Sequence, residues 1–373
     1  MTGAAAGADT NRPLIIGSGI AGSAPALPLA RAGAKPLILE RARETGDAIC
    51  GGFLSWQSLA ALDRLGLSAE SLAGQRVTEV RLFAGSRMAR AALPQPGMGL
   101  SRHALDSALL TQALASGAAI ERGVTVRSYG NGSATTADGA SFSSTSLFAA
   151  HGKHAIAGHD RPPPPRVVAD PVIGLRLRIA ATPRIASLVG EAVELFLFDR
   201  GYAGLVRQED GSANLCLAVH KSRLSEAGGR PEALIAAWGT ENARLGERLA
   251  AGDAVGSIDA IAAVPYGWRR QSGESGLWCL GDQAAVIPSL AGEGMGIALA
   301  TAASAGRAWQ QGSDSADWQQ RMAHTLARPM TLARIIWRLA EDPRWNGAGL
   351  ALLSRLPMLT GALAKATRVP PDA

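Results

Sequence analysis

The chain has 373 residues, 47% of them hydrophobic, and a formal net charge of +6. That length suits two intimately joined domains, and the positive charge is nearly all scattered arginine without a basic, aromatic-interleaved stripe, which argues against a nucleic-acid partner. Cys50, Cys216 and Cys279 form no CxxC pair and no metal-ligand spacing, so no metal is expected and a reducing, cytoplasmic setting is favoured.

Met1 to Asn11 is small and polar. It reads as a disordered tail without the charged and apolar regions of a signal peptide. No apolar run reaches the length of a bilayer span, about 18 residues.

The next stretch, LIIGSGIAGSAPALPLARAGAKPLILE from Leu14 to Glu40, reads as an apolar strand, a glycine turn, a helix and a second apolar strand ending in an acid. Gly17, Gly19 and Gly22 are spaced G-x-G-x-x-G. Gly17 permits the tight turn, Gly19 a close backbone approach to a pyrophosphate, and Gly22 close packing of helix on sheet. The helix N-terminus offers N–H groups and a positive dipole end to phosphates. Glu40 stands where an acid accepts from an adenosine ribose hydroxyl, with Arg41 beside it. An adenine dinucleotide site follows. Pro25 and Pro28 conflict with the helix, because an interior proline costs about 3 kcal/mol; a kink or a short first turn is expected.

Arg41 to Ile49 reads as a polar loop, followed by Cys50-Gly51-Gly52 and a helix from Trp56 to Leu65. Val77 to Phe83 alternates as a strand, Gly97 to Gly99 reads as a turn, and Ser101 N-caps a helix from Arg102 to Ala115. A strand from Ile120 to Arg127, polar hairpins to Ser146 and a short strand from Leu147 lead into His151-Gly152-Lys153-His154. The proline-rich run from Arg161 to Arg166 reads as a rigid link. Val172 to Ile179, Val193 to Phe198, Tyr202 to Arg207 and Ala213 to Val219 succeed one another across tight turns, the pattern of an antiparallel sheet. Pro231 to Ala250 reads as one helix, and Gly256 to Val264 and Leu277 to Leu280 as strands. Pro288 to Ala308 carries a glycine turn into a helix, and Ala316 to Lys365 is helical.

Three stretches in this order resemble the flavoprotein superfamily of p-hydroxybenzoate hydroxylase, geranylgeranyl reductases and flavin-dependent halogenases. They are the glycine stretch, Ser101-Arg102-His103-Ala104-Leu105-Asp106, and Trp278-Cys279-Leu280-Gly281-Asp282 with the loop Pro288-Ser289-Leu290-Ala291-Gly292-Glu293-Gly294-Met295. The resemblance covers about residues 13 to 310. It implies FAD, bound by Gly17, Gly19, Gly22, Glu40, Arg41, Arg102, Asp282, Gly292, Gly294 and Met295. In the family the arginine lies near the FAD phosphates and ribityl chain, the Asp accepts from a ribityl hydroxyl, and the loop faces the isoalloxazine. The implied fold is α/β: a Rossmann-like FAD-binding domain (12–165 and 256–315), an inserted antiparallel β-sheet substrate domain (166–255 with part of 67–100), and a helical C-terminus (316–373).

Leu, Phe, Val and Ile dominate the pocket-side strands, so a hydrophobic small molecule is expected: a polyketide, an isoprenoid or an alkylated phenol. Tyr202, Phe196 and Tyr266 are candidates to line its pocket. Cys50, in a Cys-Gly-Gly segment resembling that of geranylgeranyl reductases, and Pro288 are the catalytic candidates. The leading expectation is hydroxylation via C4a-hydroperoxyflavin. The alternatives are reduction of a C=C bond, with Cys50 or water as proton source, and a flavin-binding protein without competent redox activity. The family's mid-chain Asp-Gly is here His151-Gly152, so NAD(P)H as electron donor lacks one family contact. The halogenase Trp-x-Trp-x-Ile-Pro run is absent. The C-terminal helices, with Arg334, Arg338, Arg355 and Lys365, are expected to pack on the FAD domain or at a dimer face, with peripheral membrane contact as the alternative.

Overall fold

The computed structural model describes residues 11–154, 156, 170–262 and 264–369. The expected tail before Asn11 and the proline-rich link lie outside the described residues.

Strand β1 (Leu14–Ile16) leads through helix α1 (Ile20–Arg31) to β2 (Leu37–Glu40). Then come β3 (Phe53–Leu54), α2 (Trp56–Arg64), α3 (Ala69–Leu72) and a long hairpin, β4 (Gln75–Ala84) and β5 (Arg87–Gly99). Helix α4 (Arg102–Ala115), β6 (Ala119–Arg122), β7 (Val126–Gly130), β8 (Ser133–Thr136), β9 (Ser141–Ser143) and β10 (Leu147–Ala149) follow. The middle holds β11 (Val172–Ile179), α5 (Pro183–Val189), β12 (Ala192–Phe198), β13 (Gly201–Arg207) and β14 (Ala213–His220). After α6 (Lys221–Glu226), α7 (Pro231–Glu241) and α8 (Ala243–Leu249) come β15 (Ala254–Ile261) and β16 (Leu277–Cys279). The chain then runs through α9 (Gly294–Gln310), α10 (Ser315–Glu341), α11 (Pro343–Arg355) and α12 (Pro357–Ala366).

A five-stranded parallel sheet has the order β16-β10-β1-β2-β6. Its strands β1, β10 and β16 read LII, LFA and LWC and are buried throughout, as a sheet covered on both faces requires. Helices α1, α4, α9 and α10 build the core on one face; the antiparallel sheet β7-β8-β9 covers the other.

The second sheet has eight strands, β15-β11-β14-β13-β12-β4-β5-β3. It is antiparallel except where β12 runs parallel to β4. Two expectations change here. Gly97 and Gly99 belong to β5 rather than to a turn, and β15 pairs with β11, so the return to the parallel sheet falls after Ile261 and not at Gly256.

Helix α1 runs unbroken through Pro25 and Pro28. Its first turn closes tightly, with the amides of Gly22 and Ser23 both donating to the Gly19 carbonyl. Pro25 is buried, and the Pro28 carbonyl accepts from the Gln310 side chain of α9. Contact with α9 thus offsets part of what the prolines remove.

One face of the eight-stranded sheet packs Phe83, Phe196, Phe198 and Leu205 against α5, α7 and α8. The opposite face carries Leu195, Leu197, Tyr202 and Ala218 and is covered by α10 and α11 through Trp337, Ala340, Leu350 and Leu353.

Candidate functional site

The glycine loop needs its glycines. Gly17 has φ +100°, and a Cβ there would stand 2.7 Å from the Ala150 carbonyl oxygen. A Cβ at Gly22 would overlap the Gly17 carbonyl oxygen, and one at Gly19 would come within 3.2 Å of Arg102 Nη2. The helix start carries no side-chain cap, so its amides face the loop as an anion site.

Glu40 ties the loop to the end of β2. Its Oε2 accepts from Ser18 N and Ser18 Oγ, both at 2.8 Å, and its Oε1 accepts from Ala42 N. Arg41 reaches across to His154, donating from Nη2 to Nε2 at 2.6 Å.

Arg102 opens α4 beside Gly19 and forms a two-point pair with Asp106, at 3.0 and 2.8 Å. Burial opposes its charge, but Asp106 outweighs burial and raises the guanidinium pKa. For Asp106, burial raises the carboxyl pKa and Arg102 offsets part of that. Sequence order explains the pairing: the two residues stand four apart on one helix face.

Asp282 lies in a tight turn after β16. Its Oδ2 is 3.2 Å from Lys153 Nζ, and this proximity raises the Lys153 pKa. Gln283 Nε2 donates to the Gly152 carbonyl at 2.6 Å, which fastens the segment 151–154 to the turn a second time, and lies 3.3 Å from His151 Nδ1. Cys50, half-buried, has Arg102 and Lys153 as charged neighbours. Its carbonyl accepts from Asn214 Nδ2 at 2.9 Å and Cys216 Sγ at 3.0 Å. Burial, then the nearby Cys50, pushes the Cys216 thiol up to about 12. Arg176 holds the preceding loop through Asp47 at 2.8 Å.

The loop after Pro288 meets the eight-stranded sheet. The Tyr202 hydroxyl hydrogen-bonds Ser289 Oγ, and the Tyr266 hydroxyl lies 2.8 Å from the same oxygen. Burial raises both phenol pKa values. Gly292, at φ +63°, packs on Phe53; Gly294 is exposed at the start of α9. Glu293 between them is buried and pairs with Arg368 at 2.5 Å.

Three expected roles change. Phe196 is fully buried and stacks on Phe83, on the face away from the site. Alternation along β12 turns Leu195 and Leu197 to the site instead. The Met295 side chain is buried in the core and leaves only its backbone for a ligand. Pro288 is buried and has no titratable group; it shapes the loop. Sequence reasoning missed Lys153, Asn214, Cys216, Ser289 and Arg368, whose partners lie far along the chain.

The FAD-binding domain family matches residues 11–157. That stretch, under half of the chain, is an FAD-binding domain. Part of this flavoprotein is 46% identical, over 56 residues, to a 3-hydroxybenzoate 6-hydroxylase of Klebsiella oxytoca. That match covers 15% of this chain and 14% of the hydroxylase. Solved structures share the fold at low identity. A flavin-dependent brominase has a TM-score of 0.78 at 16% identity, over 96% of this chain and 93% of its own. A flavoprotein/dehydrogenase of Cytophaga hutchinsonii has 0.74 at 16%, over 96% and 89%. PqsL of P. aeruginosa, in complex with 2-aminobenzoylacetate, has 0.72 at 16%, over 91% and 98%.

The residues present fit FAD. Side chains are excluded at Gly17 and Gly22, the helix end is uncapped, and a guanidinium lies against Gly19. The glycine loop would hold the pyrophosphate, Glu40 the ribose and Asp282 the ribityl chain.

Proposed function

We propose that the flavoprotein is a monooxygenase that hydroxylates an apolar phenol or other electron-rich ring. The observation that carries this reading is the convergence of the Tyr202 and Tyr266 hydroxyls on Ser289, beside Pro288. Bound FAD would supply reducing power and oxygen activation. The chain's own residues would do the rest. Leu195, Leu197, Leu290 and Trp337 exclude water. The two tyrosines, kept neutral by burial, hold the substrate hydroxyl and pass its proton through Ser289, which is exposed, to solvent. NAD(P)H is the proposed donor, and a reducing cytoplasm the proposed setting.

A second reading, reduction of a C=C bond, is favoured by the place of Cys50 among Arg102, Lys153 and Cys216. Anaerobic single turnover of chemically reduced holoprotein separates the two. The hydroxylase gives product from candidate phenols only after oxygen is admitted. Product formed without oxygen overturns that reading in favour of the reductase.

A further inference from the structure

We propose that the outer face of the C-terminal helices docks on an anionic lipid surface. The inner face of these helices is occupied. Trp337, Ala340, Leu350 and Leu353 roof the apolar side of the eight-stranded sheet over Tyr202 and Tyr266. The outer face is not polar. Ile335, Leu339, Trp345, Leu352, Leu356 and Met358 are exposed, Trp345 at 59% and Met358 at 89%. On α10, Ile335 and Leu339 stand four apart; on α11, Trp345 and Leu352 stand seven apart, and Leu356 follows as the residue that ends the helix. Each set makes one stripe. Leu359, beside Met358, is exposed as well; the remaining large exposed hydrophobics among the described residues, Met88, Leu114 and Val255, come from separate elements.

Charge selects the occupant. From residue 330 to 366 the basic residues are Arg334, Arg338, Arg344, Arg355 and Lys365, all exposed. The acids are Glu341 and Asp342. Glu341 is buried against His220, and Asp342 caps α11 and pairs with Arg344. A second copy of this chain on a two-fold axis would set this basic face against itself, which like-charge repulsion disfavours. A lipid surface with anionic headgroups satisfies both the arginines and the apolar stripes.

Geometry makes the contact interfacial. No single helix among the described residues is long and apolar enough to cross a membrane, and α11 and the helix after it meet at a bend of 114°. At about 1.5 Å per residue they are roughly 20 and 15 Å long, against about 30 Å of hydrocarbon. They lie along the surface, with the roof of the apolar site directly beneath. An oily substrate would thus be taken from the phase in which it dissolves.

Flotation of the full chain with phosphatidylcholine vesicles, with and without phosphatidylglycerol, tests this without turnover, so it is independent of the hydroxylase reading. The protein is expected to float only with the anionic vesicles and to be released by high salt. Leu352→Asp with Met358→Asp, and separately Arg338→Gln with Arg355→Gln, should each weaken binding about tenfold, with thermal unfolding unchanged. Absence of flotation with anionic vesicles at low salt overturns the proposal. So does a concentration-dependent dimer that the same substitutions abolish, which would give this face to a second copy.

Discussion

Lys153 Nζ lies 3.2 Å from Asp282 Oδ2, joining residues 129 apart in sequence. The pair bridges the end of β10 to the turn after β16, neighbouring strands of the parallel sheet. It is partly exposed, 31% and 24% at the two side chains, so solvent screening limits it to about 1 kcal/mol or less. Lys153→Met should therefore speed amide hydrogen exchange at Gly152 to His154 by up to about fivefold. Unchanged exchange would show that the pair does not hold the segment.

The buried Glu293–Arg368 pair behaves differently. Arg368 also donates to the Ala291 carbonyl at 2.9 Å and lies over the Trp56 ring, so the segment after α12 clamps the loop that follows Pro288. Burial raises the Glu293 carboxyl pKa, with Arg368 offsetting part of the rise. Arg368→Met leaves that carboxylate buried without its partner, at a cost of about 3–5 kcal/mol. Thermal unfolding should show a large fall in Tm, partly restored by adding Glu293→Gln. A double variant no better than Arg368→Met alone would refute the clamp.

His220 gives a pH-dependent tie. Its Nε2 is 3.2 Å from Glu341 Oε2, and the bond to Glu341, together with Asp170, raises the imidazole pKa despite partial burial. Because the folded value is raised, the imidazolium stabilises fully below the unfolded value, about 6.5, and the contribution is lost as pH rises through the folded value. The Tm difference between wild type and His220→Gln should be largest near pH 6 and should shrink on going alkaline. A difference independent of pH would contradict the pairing.

The proton relay makes a kinetic prediction. Tyr266→Phe keeps the ring against Trp337 but removes the hydroxyl at Ser289. If the relay serves a phenolic substrate, kcat should fall about a hundredfold while KM changes little. A change confined to KM would reduce Tyr266 to a packing role.

Legibility followed the range of the physics. The glycine loop was readable because the positive φ at Gly17 and the close approach of Gly22 to Gly17 are local, and Arg102 and Asp282 were readable as parts of short motifs. Phe196 was misplaced because a strand's composition does not reveal which alternate set faces the pocket. Lys153, Asn214, Cys216 and Arg368 carry no periodic signal. Their partners stand 129, 164, 166 and 75 residues away, and only the folded chain brings them together. The prolines of α1 looked disruptive because the compensating contacts come from α9, far along the chain.

Equilibrium titration of the flavin-free full chain with FAD, read by quenching of flavin fluorescence, tests the central claim most directly. Saturable one-to-one binding is expected. It should weaken about tenfold or more in Arg102→Met and in Asp282→Ala, since each removes a charged group at the site. No saturable binding, or affinity unchanged by both substitutions, would contradict the FAD site described here.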